Sequence, residues 1–167
     1  NRLRLPGRVS ERLPGTRQRY AASARLAHRF EHSTLILWQR VYADSWGLGA
    51  ETTDLRWVLS LSRRWSLWPR ARFHTQSGVS FWRRAYVGSV SNGQVTVDEF
   101  RSGDRELGPL HSLSLGPGLR FDLGRDDPES ASVNLELEGT YTRFHDALYI
   151  DHRWSAYAVA GFSARFE

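Results

Sequence analysis

The amino-acid sequence predicts an all-β protein: an antiparallel, up-and-down transmembrane β-barrel with about seven to eight strands in these 167 residues, standing as part of a larger barrel. Three observations carry this expectation. Apolar and polar residues alternate with period two along most of the chain. The alternating runs are about 10 to 15 residues long, beyond the roughly 5 to 6 of common soluble strands and near the roughly 9 to 11 that cross a bilayer at a tilt. The links between them alternate between short and long.

The elements follow in order. Residues 1–18, with two Pro and many Arg, read as a loop or N-terminal extension ahead of a single strand-built domain over 19–167. Weakly patterned candidates at 19–30 and 33–43 are joined by the tight Glu31-His32 link. Leu55, Trp57, Leu59 and Leu61 then alternate with Asp54, Arg56, Ser60 and Ser62, and over 68–77 Arg70, Arg72, His74 and Gln76 alternate with Ala71, Phe73 and Thr75. The long link 78–108 contains GSVSNG, read as a flexible loop. The clearest alternation sets Leu113, Leu115, Leu119, Phe121 and Leu123 against Ser112, Ser114, Gly116, Gly118, Arg120 and Asp122. After a turn-rich GRDDPES at 124–130, Val133, Leu135, Leu137 and Tyr141 oppose Asn134, Glu136, Glu138, Thr140 and Thr142. The last run places Trp154, Ala156, Ala158, Ala160, Phe162, Ala164 and Phe166 opposite Arg153, Ser155, Tyr157, Gly161, Ser163 and Arg165.

If the final strand ends on the periplasmic side, the tight links fall there and the long links fall outside, as in outer-membrane barrels. Phe30, Trp65, Trp68, Phe121 and Phe166 would then form one aromatic girdle, and Tyr20, Tyr42, Trp82, Tyr141 and Trp154 the other. Alternation alone does not say which face is wet. In the membrane version Asp54, Arg56, Arg70, Arg72, His74, Arg120, Asp122, Glu136 and Glu138 line the lumen as enclosed polar groups that need partners, and the 124–130 hairpin would set Arg120 opposite Glu136. In the rival, a soluble β-barrel ligand-binding module, the same residues face water.

Composition narrows the field. The formal charge of +5 comes from 23 Arg and no Lys, against 18 Asp and Glu. The arginines are scattered through the chain, which argues against a phosphate-tracking nucleic-acid surface. Absent Cys removes disulfides and thiol catalysis, and the absence of Met, with Asn1 at the start, predicts a chain that is not the nascent product. No apolar run approaches the roughly 20 residues of a spanning helix. A mean hydropathy of −0.51 still suits a membrane barrel, where alternate residues alone meet lipid.

The stretch YADSWGLGAETTDLRWVLSLSRRWSLWPRARFHTQSGVSFW at 42–82 resembles a large uncharacterised family of bacterial outer-membrane β-barrels, known only as a domain of unknown function. RARFHTQSGVSFW carries most of the likeness, and SGDRELGPLHSLSLGPGLRFDL at 102–123 is similar to the same family's loop-to-strand passage. The resemblance implies a chain that forms the C-terminal part of a bigger barrel in the outer membrane of a Gram-negative cell. It also implies outer-membrane lipid, lipopolysaccharide and other subunits of an envelope complex as partners. Here the sequence ends Phe166-Glu167, where many such barrels end on an aromatic residue.

Candidate chemistry is sparse. Barrel enzymes that cut lipid need a nucleophile and a base in hydrogen-bonding reach; His32 with Ser33, His74 with Ser77, and His111 with Ser112 are near in sequence, yet an odd separation sends strand side chains to opposite faces. His145, Asp146, Asp151 and His152 surround a short loop and are the candidate metal ligands. Loop arginines Arg83, Arg84, Arg101 and Arg105 suit lipopolysaccharide phosphates. No cofactor motif is present. The expected function is a scaffold, pore or partner-holding shell of porin-like type without catalysis, with the soluble binding module and an outer-membrane lipid hydrolase as alternatives.

Overall fold

The computed structural model describes residues 10–92, 94–124 and 131–164. Seven long strands form one antiparallel sheet in which every neighbour is the next long strand in sequence: β1 (Arg19–Arg29), β2 (Ser33–Asp44), β3 (Gly49–Ser60), β4 (Trp65–Gln76), β7 (Leu110–Asp122), β8 (Ala131–Phe144) and β9 (His152–Ala164). Between β4 and β7 lies a small separate hairpin, β5 (Ser89–Ser91) and β6 (Gln94–Thr96). This corrects the reading of GSVSNG as loop alone. Asn92 has φ 51°, the left-handed backbone that an Asn-Gly hairpin turn favours, so the signal was present in the sequence.

Strand lengths of 11 to 14 residues mean about 40 Å of chain at roughly 3.4 Å per residue, enough to cross about 25–30 Å of hydrocarbon at a 45° tilt. At one end of the sheet the links are tight, over 30–32 and 61–64; the third link there, including the GRDDPES turn from 125 onward, lies outside the described residues. At the other end 45–48 is short, but 77–109 and 145–151 are longer, and 77–109 folds into a cap. Residues 10–18 run along this cap, bridging Arg12 to Arg101 and donating no strand to the sheet. Residues 1–9 of the expected extension lie outside the described residues.

The buried apolar residues Leu48, Val79, Leu110 and Phe144 all sit at the cap end. Elsewhere no apolar interior exists among the described residues: the chain exposes 12421 Å², against about 8,400 Å² for a compact globular chain of its mass. The register explains why. Leu55, Leu113, Leu115, Leu135 and Leu137 share one face and are 41–55 % exposed, whereas Ser114, Ser132, Glu138 and Thr142 on the opposite face are 3–9 % exposed. The polar face is the sheltered one, so the sheet curls around its polar side and turns its apolar side outward. Of the charged residues in the seven strands, Glu51 and Arg143 alone stand on the apolar face, each near the cap end.

Two prolines face each other at mid-sheet, Pro69 of β4 and Pro117 of β7, within an unbroken β4–β7 register. Proline has no N–H to give, and the ladders on the two outer sides show it. The β3–β4 pairing skips Trp57 and Val58, and the β7–β8 pairing skips Gly116 and Pro117.

Candidate functional site

The nine polar-face residues expected from the sequence all fall on the sheltered face. Arg56 lies opposite Arg70, Asp54 opposite Arg72, His74 opposite Ser112, Gly118 opposite Glu136, and Asp122 opposite Ser132. Asp54 is the hub: Arg70 Nη2 donates to its Oδ2 at 2.5 Å, and Arg72 Nε to the same oxygen at 2.8 Å. Arg70 also reaches Glu138, with Nη1 3.5 Å from Oε2. Their side chains are 17 %, 15 % and 9 % exposed for Arg70, Asp54 and Glu138, so these are sheltered charges held by mutual pairing. In the register row of Asp54 and Arg72, Ser114 hydrogen-bonds Thr140 across β7–β8 at 2.7 Å, and one row nearer the cap Thr52 Oγ1 lies 2.8 Å from His74 Nδ1.

The expected Arg120–Glu136 pair does not form. The β7–β8 register sets Arg120 opposite Asn134, one pair further on, and Arg120 Nε donates to Asp122 Oδ1 at 2.7 Å on its own strand. Two residues separate Arg120 from Asp122, so both point to one face and the salt bridge is local.

Aromatic placement needs three corrections: Tyr42 lies on the polar face, its hydroxyl donating to Asp44 Oδ2, Trp82 lies in the cap outside the sheet, and Trp68 leaves the apolar face. Trp65 and Phe121 pack on the apolar face at the tight-turn end, ring centroids 4.4 Å apart, with Phe30 at the same end beside His28. Trp154 packs with Tyr141 at 4.8 Å near the cap end of that face. Trp68 instead shares the face of Arg70, because Gly118 across the ladder leaves room for its indole: a Cβ on Gly118 would sit 2.0 Å from the ring. Gly118→Ala is therefore expected to destabilise by about 1–3 kcal/mol through overpacking. Adding Trp68→Ala should recover part of that loss, as chemical unfolding of both variants would show. Phe166 lies outside the described residues.

The candidate metal ligands separate into two groups. His152 opens β9 opposite Arg143, and its Nδ1 is 2.7 Å from Asp151 Oδ1. His145 turns the other way, its Nε2 2.8 Å from Nδ1 of His111, while Asp146 takes a left-handed turn at φ 61°. Backbone pairing of β8 with β9 thus divides the four. Among the described residues no group of three or more His, Cys, Asp or Glu is placed to hold a metal ion. The His152 hydrogen bond, helped by the Arg143 guanidinium, holds the Asp151 carboxyl below its ordinary range.

None of the three Ser–His neighbours is hydrogen-bonded to its mate among the described residues. His74 bonds Thr52, Ser77 Oγ bonds the Gly47 and Gly49 carbonyls, His111 bonds His145, and His32 lies exposed beside Glu31. The cap uses its own cations: Arg83 donates to the Ser80 and Trp82 carbonyls, and Arg101 to those of Ser10, Asp98 and Glu99. Arg105 stacks over Phe144 at 5.0 Å.

Sequence reasoning left four arginines of this face unassigned. Arg25 and Arg29 of β1 and Arg40 of β2 share it, as does Arg19 beside Asp44, with Arg25 lying 6.0 Å over Trp38. Their common parity was the available signal: 19, 25 and 29 are all odd positions on one strand.

A family model described as "Protein of unknown function (DUF3570)" matches residues 6–143. Comparison with curated proteins and with solved structures gives no match.

Proposed function

We propose that this chain, which belongs to the DUF3570 family of proteins of unknown function, is the wall of a bacterial outer-membrane β-barrel acting as a scaffold, pore or partner-holding shell. The observation that carries this reading is the inverted sheet, with Leu, Trp and Phe outward and paired charges sheltered. A water-soluble sheet hides its apolar face, because an exposed apolar patch of more than a few hundred Å² drives association. Lipid removes that penalty, and it also suits aromatic residues at the two ends of the apolar face and a near absence of charge between them. The lipid partners are then hydrocarbon along the wall and lipopolysaccharide at the cap.

Strand parity supports a larger barrel. β1 and β9 are the sheet's two edges and, as the first and seventh of seven antiparallel strands, they run in the same direction. Direct closure would make a parallel seam, and so would adding a second copy in the same orientation. Antiparallel closure takes an odd number of further strands, giving the even totals of bacterial barrels.

The test is detergent dependence. Purified protein is expected to stay monodisperse in detergent micelles and to aggregate once detergent is removed. A chain that remains monodisperse and folded in plain buffer would refute the membrane reading and favour the soluble binding module.

A further inference from the structure

We propose that the arginines on the polar face of β1 to β3 form an oxyanion-binding wall, which makes the barrel lumen selective for anionic solutes bearing phosphate or carboxylate groups. This rests on the barrel reading above. The carboxylates of the face are largely taken: Asp54 by Arg70 and Arg72, Glu138 by Arg70, and Asp122 by Arg120. Arg25, Arg29, Arg40 and Arg56 have no carboxylate at ion-pair distance among the described residues.

Their placement is directional. Arg25 stands in the register row of Asp54 and Arg72, and Arg56 in the row of Arg70, whereas Glu136 and Glu138 lie on β8, with β4 and β7 between. The arginines left without a carboxylate therefore gather on β1 to β3, away from the two glutamates of β8. Arg56 lies directly opposite Arg70, whose charge Asp54 and Glu138 already hold, so the Arg56 guanidinium faces the interior as the surplus cation of that row. A guanidinium offers a planar fork that matches carboxylate and phosphate oxygens. Enclosed by low-dielectric walls, such a face concentrates anions and disfavours cations.

The experiment is single-channel recording of the full-length protein in planar lipid bilayers under a KCl gradient, with inorganic phosphate as the added oxyanion. The reversal potential should report chloride preference over potassium, and phosphate should reduce the current. Arg25→Gln with Arg56→Gln should abolish both effects. Arg25→Lys with Arg56→Lys should keep the chloride preference but weaken block by phosphate, because the charge remains and the fork is lost. Cation preference, no preference, or no conductance from protein that is inserted and heat-modifiable on gels would overturn the anion wall and leave the barrel standing. Protein that needs no detergent would overturn the barrel and the wall together.

Discussion

Replacing Leu55 by arginine is expected to cost about 2–4 kcal/mol if the apolar face meets lipid as proposed, the depth-dependent penalty for a cation near the bilayer midplane. Leu55 sits at the middle of β3, between Leu37 and Ala71 on the apolar face, and is 41 % exposed. If water covered that face, the same change would remain within about 0.5 kcal/mol, as surface substitutions do. The two environments thus differ by a factor of roughly ten or more in folding equilibrium. Leu61→Arg is the control. It lies in the β3–β4 turn, at the rim, where the penalty falls to about 0–1 kcal/mol. Tryptophan fluorescence during denaturant unfolding from lipid vesicles measures both.

Arg70→Met is the second large effect. It removes the cation that holds Asp54 and Glu138, leaving Glu138 sheltered without its ion-pair partner and Asp54 with Arg72 alone. Breaking a buried pair from one side costs about 3–5 kcal/mol, because the remaining charge stays desolvated. Adding Glu138→Gln should recover part of the loss, since a neutral amide has no charge to strand. A double-mutant cycle over Arg70 and Glu138 reads the coupling. Equal losses in the single and double variants would show that Arg70 contributes only through packing and through Asp54.

Much of the strand layout could be read directly because β7 and β8 differ in polarity at nearly every alternate position, so each face declared itself. β1 did not. Its sequence, RYAASARLAHR, mixes small residues on both faces, and its polar-face arginines emerge only from pairing with β2. Trp68 departs from composition: an indole suggests a lipid interface, but here it fills the space above Gly118, its register partner on the neighbouring β7. The Arg120–Glu136 pairing failed because a hairpin's register depends on its turn, and counting from polar residues alone cannot supply it. The metal candidates failed for a related reason, since β8–β9 pairing fixes His152 while His145 leaves the sheet. Asn92-Gly93 is a hairpin signal in the sequence, but its polar surroundings read as loop, and the strands it joins are only three residues long.

The facing prolines carry a mechanical consequence. Pro69 and Pro117 interrupt the hydrogen-bond ladders on either side of the β4–β7 pair at one height, while that pair itself is continuous. With fewer hydrogen bonds to resist it, bending across the strands is expected to be easiest along two parallel seams, with β4 and β7 held together between them as a single stave. Gly116 lets the backbone of β8 close over one seam, its Cα facing the Leu137 carbonyl where any side chain would collide. A sheet that curls around its polar side would thus take up its bend at two defined lines rather than evenly over seven strands.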